Sequence, residues 1–110
     1  MKLSKNLIDK INKHGFHVCK DGDSYTFEKY SPAGQDWNIE IYADNIEDLP
    51  VRLFEQYDDF DISYETYLWL DETGHGKNGA PYDMKDVYED MMVCKEYIYE
   101  LYKIVTEKNI

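Results

Sequence analysis

Gly74-His75-Gly76-Lys77-Asn78-Gly79 satisfies the pattern GxGxxG. In a dinucleotide site, glycines at this spacing bring backbone N–H groups up to a pyrophosphate at the start of a helix. Such a site follows a parallel strand inside a βαβ unit. Here a helical pattern precedes the loop, and Asp83 and Asp86 stand at the next helix start, where an anion would meet like charge. Residues 73–81 therefore predict a mobile connector stopped by Pro81, with no bound cofactor and with His75 and Lys77 as secondary partner contacts.

His14, His17 and Cys19 are zinc-ligand types, but no second ligand pair is placed to close a tetrahedron, so the expectation is no metal. Asp58, Asp59 and Asp61 are calcium-ligand types, yet no central glycine and closing glutamate follow at the EF-hand offsets. Paired carboxylates serve acid–base catalysis only where a pocket separates their pKa values. The sequence carries no GxSxG, no HExxH and no Cys/His pair with a supporting residue, so the chain reads as a non-enzyme.

What the acidic residues offer instead is a field. The net charge is −11, and its sign is unevenly distributed. Residues 1–20 hold five Lys and one Asp, whereas residues 44–72 hold ten acids against Arg52 alone. That density repels nucleic acid and anionic membrane and attracts basic surfaces. An acidic run is commonly a solvated face that maintains solubility, but net −9 over 44–72 exceeds that need. Carboxylates along helices imitate a phosphate backbone and compete for Lys and Arg grooves, and Tyr57, Tyr64 and Tyr67 would add aromatic contacts.

The elements that must position these groups follow from hydrophobic spacing. A chain of 110 residues with 43% hydrophobic content suits one domain. Leu3, Leu7, Ile8 and Ile11 mark a first helix capped by Ser4 and stopped at Gly15. A hairpin follows, turning at Asp21-Gly22, and then a third strand in which Trp37, Ile39 and Ile41 alternate with outward Asn38, Glu40 and Tyr42. Phe16, Val18, Tyr25 and Phe27 join the inner face, while His17, Cys19, Thr26, Glu28 and Tyr30 join the outer one.

A helix starts near Glu47 with Pro50 in its first turn and with Leu49, Leu53, Phe54 and Tyr57 on its apolar face. Asp61 caps a short helix through Leu70 that carries Tyr64, Tyr67 and Leu68 on its face and Glu65 near its positive end. Strand is the rival for residues 62–70, because Tyr64, Tyr67 and Trp69 favour it. Asp83 opens a long last helix whose apolar positions are Met84, Val87, Tyr88, Met91, Cys94, Ile98, Leu101, Tyr102 and Val105.

The order predicts an α+β domain in which an N-terminal helix, a three-stranded antiparallel sheet, two shorter helices and a long C-terminal helix pack on one sheet face. The first five elements follow the order of a double-stranded RNA-binding domain, but the basic phosphate contacts of that function are missing. Cys19 and Cys94 read as free thiols of a reducing cytoplasm. Met1 to Lys13 lacks a signal-peptide core, and no apolar run approaches the ~18 residues of a span.

Tyr57-Asp58-Asp59-Phe60-Asp61, the segment 64–70, the loop with Asn78-Gly79-Ala80-Pro81, and Val87-Tyr88-Glu89-Asp90 resemble a group of small acidic proteins of unassigned function from Gram-positive bacteria, their phages and mobile elements. The resemblance covers roughly the C-terminal half. Members commonly carry Pro after the aspartate at Asp61, where this chain has Ile62, which favours helix over strand there. The resemblance implies no catalytic residue. It implies a setting in which small acidic proteins inhibit host-defence nucleases, as anti-restriction and anti-CRISPR proteins do.

The resulting expectation is a cytoplasmic inhibitor that binds a basic protein such as a host nuclease, and no nucleic acid or membrane directly. Glu47, Asp48, Glu55, Asp58, Asp59, Asp61 and Glu65 would carry the contact. The alternatives are a protein-binding or self-associating homodimer module using the outer sheet face at Tyr30 and Tyr42, and a small ligand-binding protein. Lys2, Lys5, Lys10 and Lys13 are left to pair with the acidic belt or with another copy.

Overall fold

The computed structural model of the chain describes residues 1 to 107. Helix α1 (Lys5–Lys13) precedes strands β1 (His17–Asp21), β2 (Ser24–Tyr30) and β3 (Asp36–Tyr42). A 3₁₀ turn (Ile46–Asp48) runs into α2 (Leu49–Asp59), followed by α3 (Ile62–Leu68) and α4 (Met84–Thr106). The fold is α+β, as the hydrophobic spacing predicts. Residues 62–68 are helical, which settles the helix–strand rivalry, and Leu70 forms only an isolated bridge with Gly76.

The sheet is antiparallel in the order β1-β2-β3, and its register sets Val18, Phe27 and Ile39 in one row and Lys20, Tyr25 and Ile41 in the next. Direct cross-strand partners share a face. The inner face therefore buries Phe16, Tyr25, Phe27, Trp37 and Ile41 against α1, α2 and α4. In the hairpin, Asp21 pairs with Ser24, so the loop residues are Gly22-Asp23, one position later than Asp21-Gly22. Gly22, at φ +59°, supplies the positive φ and Asp23 does not, which fits a type II′ turn with glycine first.

Two helical faces differ from the expected ones. Phe54 on α2 is 58% exposed, although Leu49 and Leu53 are buried as expected. On α3, Tyr64 and Tyr67 are 58% and 70% exposed and Leu68 is also exposed. The side turned inward carries Ile62, Glu65, Thr66 and Trp69, spaced three and four apart, with only Thr66 fully buried. Tyrosines tolerate this inversion because the ring bears a hydroxyl that water solvates.

On α4, Val87, Met91, Cys94, Ile98 and Leu101 are buried as spacing predicts, whereas Met84 and Tyr88 are exposed at the helix start. Asp90, Tyr97 and Ile104 complete the buried stripe. Asp90 ties the helix to the β2–β3 connection. Its Oδ2 accepts from the Ser31 hydroxyl at 2.6 Å and its Oδ1 from the Ala33 N–H at 3.0 Å. The Ser31 hydroxyl oxygen in turn accepts from Gln35 N–H at 2.9 Å, and Tyr97 donates to the Tyr30 carbonyl.

The loop between α3 and α4 is not the loose connector its glycines suggest. Asp71 accepts from the Thr73 and His75 N–H groups and the Thr73 hydroxyl, Gly76 N–H donates to Tyr82 O, and Lys77 N–H donates to Trp69 O. Gly76 is required by close approach rather than by φ: a Cβ there would stand 1.8 Å from Pro81 O. Gly76→Ala should cost about 2 kcal/mol as the 81–82 backbone is forced away. Thermal unfolding checks this, with Gly74→Ala as the comparison: its Cβ meets open space, so its cost is only the positive-φ strain of about 1 kcal/mol, and Gly76→Ala should lose more.

Candidate functional site

The helix period sets Glu55, Asp58 and Asp59 on the side of α2 opposite Leu49, Leu53 and Tyr57. Glu47 lies in the 3₁₀ turn before α2, and Asp61 follows its end as the extended cap of α3. All five are exposed, and Asp48 is half-buried. Among the described residues, the ion pair within 44–72 joins Arg52 to Glu55 at 2.9 Å, leaving Glu47, Asp58 and Asp59 without a counter-charge. Asp61 also serves the fold, its Oδ1 accepting from Tyr64 N–H at 3.2 Å as the cap of α3.

The basic first helix does not neutralise this belt. Lys10 pairs at 2.6 Å with Glu107 beyond the end of α4. Lys29, on the inner sheet face, lies over the rings of Phe16 and Tyr97 at 4.7 and 4.6 Å and donates to His14 O. The exposed side of α2 thus keeps its carboxylates unpaired with α1 among the described residues.

Glu65 does not belong to that side. It is half-buried and lines a cavity of about 140 Å³ together with Trp37, Trp69 and Phe60. No hydrogen bond reaches its carboxylate among the described residues. Burial, and after it the Asp61 carboxylate, pushes the Glu65 carboxyl above its ordinary value of 4.5, so the favourable helix end is outweighed. A carboxyl raised in the folded state contributes stability below its unfolded pKa and loses it as pH rises through the folded pKa. Ionised Glu65 is therefore a cost at pH 7. Glu65→Gln should raise Tm at pH 7, and the gain should disappear at pH 4, where both side chains are neutral.

Cys94 lies in the same cavity, buried, with its thiol pushed up to about 12 by burial first and then by Asp90 and Glu65. It stays protonated at neutral pH and is no thiolate nucleophile. Cys19 Sγ stands 3.2 Å from His17 Nε2 on the outer sheet face, where both residues are exposed. Their i,i+2 spacing on a strand made this contact readable.

The secondary contacts are scattered. Tyr30 and Tyr42 are both exposed on the outer face, but Tyr42 lies opposite Ser24 and Tyr30 opposite Asp36, at the two ends of β2, about 20 Å apart. Between them the outer face carries Thr26, Glu28, Asn38 and Glu40 and forms no continuous apolar patch. Tyr42 donates to Asp44 at 2.7 Å. His75 is stacked on Tyr82 with ring centroids 4.0 Å apart, and Lys77 is exposed. Their loop offers no cradle for phosphate, because the N–H groups of Gly74, His75, Gly76 and Lys77 are all spent on internal acceptors.

An open groove of about 450 Å³ separates α3 from the start of α4, lined by Thr66, Tyr67, Leu70, Met84 and Tyr88 with Lys85 at its side. Exposed Tyr64 and Tyr67 belong to α3, the helix that Asp61 caps. No helix among the described residues is long and apolar enough to cross a membrane. The chain matches no family model, no curated protein and no solved structure.

Proposed function

We propose that this chain is a non-enzymatic, cytoplasmic protein that binds a basic, nucleic-acid-handling partner, such as a host-defence nuclease, and occupies the groove that nucleic acid would take. The reading rests on one observation: Asp58 and Asp59 on α2, and Glu47 in the turn before it, stand exposed without an ion-pair partner among the described residues. Uncompensated like charge is a self-repulsion that a basic partner relieves. The mimicry is one of field rather than of spacing. Glu55 and Asp59 rise about 6 Å apart along α2, wider than the ~3.4 Å per phosphate of a DNA strand. Exposed Tyr64 and Tyr67 would supply aromatic anchors beside the charge.

Competition tests it. A labelled duplex bound to a Cas9-type nuclease should be displaced by this protein at low salt, and displacement should fade as salt rises. Failure to displace duplex from any of a panel of such nucleases would remove the reading.

A further inference from the structure

Glu65 is half-buried, and its carboxylate makes no hydrogen bond among the described residues. A carboxylate drawn partly out of water, without a hydrogen bond and raised in pKa, costs stability where it stands. Its surroundings are specific in chemistry. Trp37, Trp69 and Phe60 give the cavity three aromatic walls, Glu65 is its carboxylate, and buried Gln35 borders it, while the alternation of β3 turns the Asp36 and Asn38 side chains to the outer face. Among the described residues, no cationic side chain lines it. Aromatic faces attract a cation within about 6 Å, and the attraction grows as water is removed. A volume of 140 Å³ holds between four and five water-sized groups at ~30 Å³ each, which is the size of a guanidinium with one methylene. Phe60 sits between Asp59 and Asp61, and the Asp61 charge is near enough to act on the Glu65 carboxyl.

We infer that this cavity receives an arginine side chain of the protein partner, its guanidinium stacked on tryptophan and paired with the Glu65 carboxylate. Arginine suits the site better than lysine, because a planar and weakly hydrated guanidinium both stacks on aromatic rings and meets a carboxylate through two donors. The assignment rests on the proposed basic partner for the source of the cation. The cavity chemistry stands apart from that source and is tested separately.

The chain's two tryptophans both line the cavity, so intrinsic tryptophan emission reports its occupancy directly. The probe is the peptide Lys-Lys-Gly-Arg-Gly-Lys-Lys, with the same peptide carrying citrulline for arginine as its uncharged counterpart. The arginine peptide should change the emission saturably and the citrulline peptide should not. Glu65→Gln, checked for folding by circular dichroism, should weaken binding about tenfold or more. Trp69→Leu should weaken it as well, through loss of a wall. An emission change that never saturates, equal binding of the citrulline peptide, or unaltered affinity in Glu65→Gln would each overturn the assignment. Ethylguanidinium alone should bind more weakly than the peptide, because it lacks contacts to the rim. Equal affinity would assign the cavity to a free small cation and overturn the partner side chain as its occupant. Reversing Asp58 and Asp59 to lysine should weaken the peptide while leaving ethylguanidinium unchanged, so failure of the acidic side and failure of the cavity give different results.

Discussion

Replacing Asp58 and Asp59 by lysine together with Asp61→Asn should slow association with a basic nuclease about a hundredfold at low salt. Electrostatic steering contributes between about ten- and a thousandfold to such rates. The third change is asparagine because Asp61 caps α3 through its contact with Tyr64 N–H. Asparagine caps as well as aspartate does, whereas loss of the cap costs about 1 kcal/mol and would mix folding with binding. Asp58 and Asp59 carry no such duty: both are exposed and neither is ion-paired among the described residues. Stopped-flow association at two salt concentrations reads the effect, and the variant should approach wild type as salt screens the field. An unchanged rate at low salt would mean that another face makes the contact.

The largest stability effect should come from Asp90, far from any charge argument. It is 5% exposed, and it accepts from the Ser31 hydroxyl and the Ala33 N–H across 59 and 57 residues of chain. Asp90→Ala leaves both donors without that acceptor and frees the Ser31-Pro32-Ala33-Gly34 connection that sets β3 against β2. The buried Ser31 hydroxyl left unpaired costs about 1–3 kcal/mol and the lost bond to the exposed Ala33 N–H about 1 kcal/mol, so the loss should be about 3 kcal/mol, or a fall in Tm of about 10 °C or more. Asp90→Asn keeps one acceptor oxygen and should lose less. Thermal unfolding followed by circular dichroism ranks the three proteins. Equal Tm values would show that the connection is held without this carboxylate.

The sheet was readable because its signal is local. Trp37, Ile39 and Ile41 alternate within one strand, and once the hairpin is placed, period two sets every inner and outer residue of its partners. The helices were readable in position and less so in face. Ser4 and Asp61 cap α1 and α3 through side-chain contacts to Leu7 and Tyr64, as their sequence positions suggest. The face of α3 was misread because Tyr64, Tyr67 and Leu68 outweigh Glu65 and Thr66 on any hydrophobic scale. Burial there is decided by what lies opposite: Trp37, Met91 and Cys94 border the cavity that Glu65 lines. Asp90 was unreadable for the same reason, since its partners come from another part of the chain.

The acidic side was legible as a charge density and only partly as a surface. Glu55, Asp58 and Asp59 follow the helix period onto one side of α2. Asp71 instead organises its own loop, accepting from Thr73 and His75, and these bonds hold its carboxyl below the ordinary value. Glu65 turns into the cavity. No periodicity within residues 44–72 distinguishes these three fates.

The dependence of affinity on salt tests the central claim most directly. The logarithm of the association constant between this protein and a basic nuclease, plotted against the logarithm of salt concentration, should fall steeply and in a straight line. The variant with Asp58 and Asp59 as lysine and Asp61→Asn should show both a weaker constant and a shallower slope. An affinity that is independent of salt, or a slope that the variant leaves unchanged, would contradict the account.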